Sequence, residues 1–151
     1  MSPQDAYKFS LLVLAIWREA RGEPFEAKLA VANVIRNRVN SSNIKQWGLG
    51  WDGVILHPWQ FSSFNRPTAD KKTGAVRYDA NAFLIPLMTD PSLGDCIKAA
   101  EMVWSGNALD NTGNATYYHD DSMDAKLPPW AASGETIKTV DVGSFRFYKK
   151  A

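Results

Sequence analysis

An apolar run of nine residues, FSLLVLAIW at 9–17, constrains the fold more than any other part of the sequence. It is too short to span a bilayer, which takes about 20 residues. Upstream of it, Ser2 and Pro3 have the form of a helix N-cap and a first helical residue. A helix that is apolar on almost every side has to be buried. We therefore predict a central core helix that ends near Gly22, a residue type that often follows a helix C-terminus.

The residues before this run do not have the form of a secretion signal. The segment MSPQDAYK carries one Lys and one Asp instead of a basic start, and no small-residue cleavage site follows the run. We expect neither a secretion signal nor a membrane anchor, and no stable membrane association.

A second helix is predicted directly after the first. Pro24 opens the segment PFEAKLAVANVIRNRVNSS, whose apolar residues recur at helical spacing. The corner between the two helices contains only Arg21, Gly22 and Glu23. Such a short corner makes the helices neighbours in space, and it brings Glu19 from the end of one helix beside the start of the next.

The rest of the chain is predicted to be less regular. Residues 40–78 are rich in Gly and Pro and are expected to be loop, 79–88 to form a short helix that Pro86 ends or bends, and 92–106 to form an amphipathic helix. The segments NATYYH and SFRFYKK alternate and could pair as a small sheet or remain extended without pairing. With no repeat and no boundary, we predict a single, mainly α domain over residues 1–151 with a small extended or β portion.

Composition excludes several kinds of function. The net charge is +1, with 17 basic and 16 acidic residues, whereas a general nucleic-acid surface needs a strong basic excess. Cys96 is the only cysteine, so no internal disulfide forms. With only two histidines besides, the chain has too few of the usual ligands for a zinc site. We expect no nucleic-acid partner, no metal, no cofactor and a monomer. The six Trp, five Tyr and seven Phe are many for this length, and such rings often line sugar-binding clefts.

Glu19 is the strongest candidate for chemistry. It lies at the C-terminal end of a helix that is otherwise too apolar for the surface, and both burial and the helix dipole raise the pKa of a carboxyl group there. A carboxylic acid that is still protonated near neutral pH can protonate a glycosidic oxygen. Arg18 and Arg21 would lower this pKa if they paired with Glu19, and a plain ion pair is the alternative. Both interpretations stay open at this point.

Four segments, in order along the chain, resemble the SleB-type cell-wall hydrolase family, first known from spore-cortex-lytic enzymes. They are AIWREARGEPFEAKLAVANVIRNRV, which contains the E-A-R-G-E signature, then HPWQFSSFN, NATYYH and VGSFRFYKK, and they span residues 15–148. Residues 65–91 are longer and more polar than expected of the family, so no substrate contacts are carried over there. The resemblance implies a compact, lysozyme-like helical domain that cleaves the β-1,4 bond between N-acetylmuramic acid and N-acetylglucosamine in the glycan strands of peptidoglycan.

The resemblance also implies roles for particular residues. By position in E-A-R-G-E, Glu19 is the catalytic acid, and Arg21 and Glu23 are structural groups that hold the corner. Neutral donors for the substrate are expected among four residues of the later segments, namely Gln60, Ser62, Tyr117 and Tyr118. Neighbours on an extended segment point to opposite sides, so one of the two tyrosines is expected to face the cleft and the other the core.

The mechanism follows from the number of acids. Two-carboxylate glycosidases hold their acids about 5–5.5 Å apart when retaining and about 6.5–9.5 Å apart when inverting. No second acid lies in a matching motif, since Asp120, Asp121 and the other loop aspartates have the form of generic turn residues. The resemblance favours a lytic transglycosylase, in which one acid protonates the leaving oxygen and then takes the proton of the sugar's own 6-hydroxyl, giving a 1,6-anhydro end. A hydrolytic muramidase with the same Glu is the nearest alternative.

Two other classes are less favoured. Cys96 near a helix start, followed by His119, has the order of a peptidoglycan cysteine peptidase, but Cys96 also suits a small core residue and His119 a loop. A non-catalytic wall-binding module would explain the aromatic residues and leave Glu19 without a purpose. For the setting, we expect a phage endolysin, held in the host cytoplasm until a membrane pore releases it to the cell wall. A part of a longer, exported enzyme is the alternative.

Overall fold

The computed structural model describes residues 1–58 and 60–151. The helices are α1 Pro3–Ala20, α2 Phe25–Val39, α3 Ile44–Trp47, α4 Gly50–Ile55, α5 Leu93–Trp104 and α6 Pro129–Ala132. The strands are β1 Thr68–Ala69, β2 Val76–Arg77, β3 Tyr117–Asp120, β4 Thr136–Val142 and β5 Phe145–Lys150, with 3₁₀ turns at Ser62–Phe64 and Asp121–Met123. The predicted mainly α class with a small β portion is confirmed.

Helix α1 begins as the sequence predicts and is buried over its second half. The Ser2 hydroxyl accepts a hydrogen bond from the Asp5 backbone, and the Asp5 carboxylate accepts one from the Ser2 backbone, both at 3.1 Å. Its core residues are Leu12, Ala15, Ile16, Trp17 and Ala20. The first turns, where Tyr7 is 53% exposed, lie at the surface. The helix is therefore central only near the corner, and this is the end that carries Glu19.

Helices α1, α2 and α5 form the core. The middle of α2 is buried without interruption from Ala30 to Ile35, and α5 buries Cys96, Ala99, Ala100 and Val103 against the other two helices. At the corner the amide of Glu23 donates to the carbonyl of Ala20 at 3.0 Å. The small residues of the three helices allow their backbones to approach closely, so the corner is held rigidly.

A three-stranded antiparallel sheet, in the order β3-β5-β4, packs on the α1–α2 corner. Tyr118 on β3 lies opposite Phe147 on β5, and Phe147 and Phe145 are buried in the core. The pairing of NATYYH with SFRFYKK is confirmed, whereas β4 was not predicted. The sheet therefore places C-terminal residues, such as Ser144, beside the α1–α2 corner in the N-terminal part of the chain.

The part of the chain predicted as loop, residues 40–78, is more regular than expected. It contains α3, α4 and the β1–β2 hairpin, and it contributes the buried residues Trp47, Val54 and Ile55 to the interior. The prediction of a loop was wrong here because these short helices are stabilised by burial against α1 and α2, which glycines and prolines in the sequence do not reveal.

The predicted helix at 79–88 is also wrong, since the segment forms turns and irregular chain. The Asp79 carboxylate accepts a hydrogen bond from the Asn81 backbone at 2.8 Å, and the carbonyls of Ala82 and Leu84 accept from the Arg18 guanidinium. Pro86 has no backbone N–H with which to continue a helix, and the bonds to Arg18 tie the segment to α1. None of the described helices is both long and apolar enough to cross a bilayer.

Candidate active site

Glu19 lies in the last turn of α1, with its side chain partly exposed. The Tyr118 hydroxyl donates a hydrogen bond to its Oε1 at 2.8 Å. Tyr118 is itself fixed by ring contacts with Phe145 at 5.4 Å and Phe147 at 5.7 Å. Glu19 lines a cavity of about 430 Å³ that we call the acid cavity. Its wall also includes Arg21, Glu23, Asp120, Asp121, Ser144 and Phe145.

The surroundings raise the pKa of the Glu19 carboxyl above its ordinary value, chiefly because burial removes water from the charged form. The Tyr118 hydroxyl and the Arg38 charge act in the opposite direction, and the charges of Asp79 and Asp120 add to the rise. Desolvation is the largest of these effects. Glu19 is therefore held towards its protonated form, as a general acid requires.

Arg18 and Arg21 do not neutralise Glu19. The Arg18 guanidinium donates to the carbonyls of Ser63 and Ala82 at 3.1 Å and lies 4.7 Å from the Phe64 ring. Arg21 lies over the Trp17 ring at 4.8 Å, and its Nη2 donates to the Asn81 side chain at 3.2 Å. Both cations thus bind residue 63 and residues 81–84 instead of Glu19, and desolvation remains the largest influence on the pKa of Glu19.

Glu23, four residues after Glu19, has a different environment. Its carboxylate accepts hydrogen bonds from the Ser144 backbone at 2.7 Å and the Ser144 hydroxyl at 3.0 Å, in the turn between β4 and β5. The neighbouring Gly143 has φ +55°, and a Cβ there would come within 2.8 Å of Glu23 Oε1. The buried Lys28 ammonium donates to the Glu23 carbonyl. The structure therefore places Glu23 as an anchor for the hairpin.

A second cavity, of about 420 Å³, lies next to Tyr118, and we call it the tyrosine cavity. It is lined by Arg38, Gln46, Trp47, Gln60, Tyr117, Tyr118, Trp130 and Glu135. Three of the four expected substrate donors, Gln60, Tyr117 and Tyr118, thus line one surface. Ser62 does not line either cavity; it is exposed at the first residue of a 3₁₀ turn.

The expectation that one tyrosine faces the cleft and the other the core holds in part: Tyr118 packs against the core, yet it also lines the tyrosine cavity together with Tyr117. Tyr117 stands between Trp47 and Trp130, with ring centroids 5.0 and 5.1 Å away, and its hydroxyl accepts a hydrogen bond from Gln46 Nε2 at 2.7 Å. The rings of Tyr117 and Tyr118 do leave the strand on different sides. Because β3 is an edge strand of the sheet, both rings still border the open space beside it.

Arg38 is a site residue that the sequence analysis missed. It is 5% exposed, its Nε donates to the Thr116 carbonyl at 2.8 Å, and its guanidinium lies over the Trp47 ring at 4.5 Å. Burial lowers its pKa to about 10, so it stays charged at neutral pH. Its Nη1 has no hydrogen-bond partner among the described residues. Arg38 lies in the last turn of α2, where arginines are usually exposed, so the sequence does not indicate its burial.

Asp120 and Asp121 have the turn roles expected from the sequence, and they also line the acid cavity beside Glu19. Asp120 does cap the following turn, since its Oδ1 accepts hydrogen bonds from the Ser122 backbone at 3.0 Å and from the Ser122 hydroxyl. Asp121 is exposed at the start of that turn. Two further carboxylates are thus available on the wall that Glu19 occupies.

The Cys96 and His119 pair does not form a nucleophile and base. Cys96 is fully buried in α5, and burial raises the pKa of its thiol to about 11, so the reactive thiolate is scarce at neutral pH. His119 is a buried strand residue, not the expected loop residue, and its Nε2 lies 3.0 Å from the Tyr148 hydroxyl. Its Nδ1 lies 2.7 Å from the Asp120 carbonyl. Both ring nitrogens are engaged within the sheet.

Comparison with known proteins gives one family. The model of the family described as Cell Wall Hydrolase matches residues 22–148. The spore cortex-lytic enzyme of Oceanobacillus iheyensis is 32% identical over 131 residues, covering 86% of this chain and 38% of the relative. That of Bacillus cereus is 30% identical over 131 residues, covering 86% and 40%. The chain therefore spans about two fifths of the length of these curated relatives.

Two solved structures share the fold over nearly the whole chain. The catalytic domain of the germination-specific lytic transglycosylase SleB from Bacillus anthracis has a TM-score of 0.64 and 28% identity, covering 94% of this chain and 93% of that one. The catalytic domain of Bacillus cereus SleB has a TM-score of 0.62 and 27% identity, covering 94% and 89%. The family match begins three residues after Glu19, so the role of Glu19 rests on the geometry above and on the E-A-R-G-E resemblance.

Proposed function

This chain belongs to the cell wall hydrolase family, and from that premise we propose that it is a lytic transglycosylase acting on peptidoglycan. The bond cleaved is the β-1,4 link between N-acetylmuramic acid and N-acetylglucosamine, and Glu19 is the catalytic acid. The observation that carries the proposal is the Glu19 carboxyl itself, whose pKa burial raises, on the wall of an open cavity with Tyr118 bonded to it.

In the first step Glu19 donates its proton to the glycosidic oxygen, and the leaving sugar departs with that proton. The positive charge that develops at the anomeric carbon is of the oxocarbenium type. Glu19 is then a carboxylate, and the Tyr118 hydroxyl at 2.8 Å stabilises that form by hydrogen bonding. The buried Arg38 charge acts in the same direction. Burial therefore favours the protonated form of Glu19 that starts the reaction, and Tyr118 and Arg38 stabilise the carboxylate that follows.

In the second step the Glu19 carboxylate takes the proton from the 6-hydroxyl of the muramic acid. The freed oxygen bonds to the anomeric carbon and closes a 1,6-anhydro ring. The reaction therefore needs neither a water molecule nor a second carboxylate. A single acid that alternates between donor and acceptor completes the cycle.

The tyrosine cavity is suited to the sugars on one side of the cleaved bond. Trp130 and Tyr117 offer ring surfaces for pyranose faces, and Gln60 offers an amide that can both donate to and accept from an N-acetyl group. Arg21 and Glu23 hold the corner through Asn81 and Ser144, so that Glu19 keeps its position.

Hydrolysis is the second candidate, and one observation favours it. Asp120 and Asp121 lie on the same wall as Glu19, and either carboxylate could activate a water. Asp121 is the freer of the two because Asp120 caps the turn. A muramidase of this kind would leave reducing ends, and Asp121→Asn would then abolish cleavage.

Mass spectrometry of digested glycan strands tests the proposal and separates the two candidates. The transglycosylase yields 1,6-anhydro muramic acid ends and keeps its activity in the Asp121→Asn variant. Reducing ends in the wild-type digest would replace the transglycosylase by the muramidase. An intact glycan after incubation with folded protein would refute glycan cleavage altogether.

The setting is a further part of the proposal. The curated relatives are named spore cortex-lytic enzymes, whereas the endolysin proposed here acts on the wall of a growing host after release from its cytoplasm. Rates on purified vegetative walls and on spore cortex, measured side by side, distinguish the two. An endolysin cleaves vegetative walls at least as fast as cortex, and activity on cortex alone would contradict this setting.

A further inference from the structure

We propose that a third cavity, on the far side of Tyr117 from Glu19, binds a muramic acid that still carries its stem peptide, with Lys149 and Lys150 as the cations for the peptide carboxylates. The inference rests on the proposed function and specifies its substrate: peptide-bearing strands over strands stripped of peptide. We call this space the lysine cavity.

The lysine cavity has a volume of about 380 Å³. It shares Gln46, Trp47 and Tyr117 with the tyrosine cavity, so these three residues border both cavities. Hydroxyl and amide groups of residues 41–43 and of Asn114 and Thr116 line the rest, together with the two lysines at the end of β5. A ring surface, neutral hydrogen-bonding groups and cations are the three elements that recognise a sugar with an acidic substituent.

The charge of the lysine cavity has one sign. Both lysines are exposed, and neither ammonium group has an ion-pair or hydrogen-bond partner in the part of the chain that the structure describes. None of the lining residues is acidic. An ammonium on a flexible stem is a compact charge that can follow a mobile carboxylate. Free cations beside a polar cavity therefore favour an anionic substituent on the bound sugar.

The distance from the acid fits an oligosaccharide. Tyr118, which binds Glu19, pairs with Phe147, and Lys150 lies three residues further along β5. At about 3.4 Å per residue the strand covers roughly 10 Å from Phe147 to Lys150. A glycan strand that runs from Glu19 over Tyr118 and Tyr117 reaches this cavity within a few sugars. Because the two sugars alternate along the polymer, a muramic acid lies at or next to the cavity in either chain direction.

The anion that the two lysines bind belongs to the stem peptide. Muramic acid bears a lactyl group whose carboxyl is joined to the stem peptide, and the peptide brings further carboxylates. When an amidase removes the peptide, one lactyl carboxylate remains on the sugar. Comparison of intact strands with amidase-treated strands therefore separates the peptide carboxylates from the lactyl carboxylate.

The test measures initial cleavage rates on peptide-bearing strands and on amidase-denuded strands of the same length. Exposed ion pairs are individually weak, and two together correspond to a rate ratio of about five- to tenfold in favour of the peptide-bearing strands. In the Lys149→Gln, Lys150→Gln double variant this ratio falls to about one, and in the wild type it also falls as salt is raised. The Lys71→Gln, Lys72→Gln variant is the matched control, since it removes two exposed charges from the β1–β2 turn and keeps the ratio.

A binding measurement keeps the inference separate from the proposed function. In Glu19→Gln protein, calorimetry with soluble peptide-bearing and denuded fragments shows the same preference without cleavage. Equal rates and equal affinities for the two substrates, or a preference that survives in the Lys149, Lys150 double variant, would overturn the inference while leaving glycan cleavage intact. Cleavage of neither substrate by the wild type, with no binding by the Glu19→Gln protein, would overturn both.

Discussion

Two acids of the same corner lie in regions with opposite surroundings. Glu19 faces the cleft, where the Tyr118 hydroxyl donates to it and burial raises its pKa. Glu23 faces the β4–β5 turn, where the backbone and hydroxyl of Ser144 both bind its carboxylate. The difference comes from the C-terminal sheet, which brings a different partner to each acid. The roles of Glu19 and Glu23 are not decided by residue type or by position near a helix end. They are decided by the partners, Tyr118 and Ser144, that the C-terminal part of the chain supplies.

The same substitution at the two acids gives the largest expected contrast. Glu19→Gln keeps an acceptor for Tyr118 and removes the proton donor, so glycan cleavage falls by about 100- to 10,000-fold, the usual contribution of a general acid. Glu23→Gln removes the charge from the hairpin anchor and keeps most of the activity per folded molecule. The rate of glycan cleavage is measured for both variants, and circular dichroism checks that both are folded. Equal losses in both variants would mean that the corner as a whole, and not Glu19, is required.

The Tyr118→Phe variant sharpens the account of the cleft side. Loss of a hydrogen bond to a charged group is worth about 1.5–3 kcal/mol, and the carboxylate formed after proton donation loses that support, so the rate falls about tenfold or more. Since the Tyr118 hydroxyl lowers the pKa of Glu19, its removal raises that pKa further. Glu19 then stays protonated to higher pH, and the basic limb of the pH–rate profile moves upward.

A pH profile of the Tyr118→Phe variant checks this sign. A basic limb that moves to lower pH, or that stays in place while the rate falls, would separate Tyr118 from the proton equilibrium of Glu19. Tyr117→Phe is the matched control, because its hydroxyl binds Gln46 and not Glu19, and its basic limb is expected to stay where it is in the wild type.

The hairpin side is tested by stability. Glu23→Ala removes two hydrogen bonds to Ser144 and lowers the free energy of unfolding by about 1–2 kcal/mol, after allowance for the partial exposure of this side chain. Ser144→Ala removes only the hydroxyl contact and costs about 0.5–1.5 kcal/mol. Urea denaturation measures both. A change below the error in both variants would show that the anchor contributes nothing to stability.

The smallest effect is a dependence of stability on pH. Because the pKa of Glu19 is raised in the folded state, the folded protein binds more protons than the unfolded chain between the two pKa values. This contribution to stability is full below the unfolded pKa, about 4.3, and is lost as the pH rises through the folded pKa. Glu19→Gln is therefore more stable than the wild type above that range, and the gap closes in acid. A gap that widens in acid would contradict the raised pKa.

Much of the helical core could be predicted from the sequence because its signals are local. The capping residues Ser2 and Asp5, the apolar run at 9–17 and the short corner at Gly22 each act over a few residues. Tyr118 could be suggested as a substrate donor from the family resemblance, but its bond to Glu19 joins residues 99 apart. No periodicity or spacing carries such information.

Two failures of prediction share a physical cause. The segment 79–88 has a helical composition, yet Arg18 binds its carbonyls and holds it as turns. Arg38 was missed because burial between Trp47 and Phe61 is a property of the assembled core. In both cases a helical arginine bonds to a distant backbone carbonyl: Arg18 to that of Ala82, and Arg38 to that of Thr116. Such tertiary contacts override the structure that the local sequence favours.

Burial is expected to keep Glu19 protonated enough to act as an acid, and titration of this one carboxyl group measures that property without a substrate. Carbon-13 NMR of glutamate-labelled protein, assigned by difference from the Glu19→Gln variant, follows the carboxyl resonance with pH. A midpoint above about 4.3, the ordinary value for glutamic acid, is the predicted result. A midpoint at or below that value would show that Tyr118 and Arg38 outweigh desolvation, and it would contradict the account.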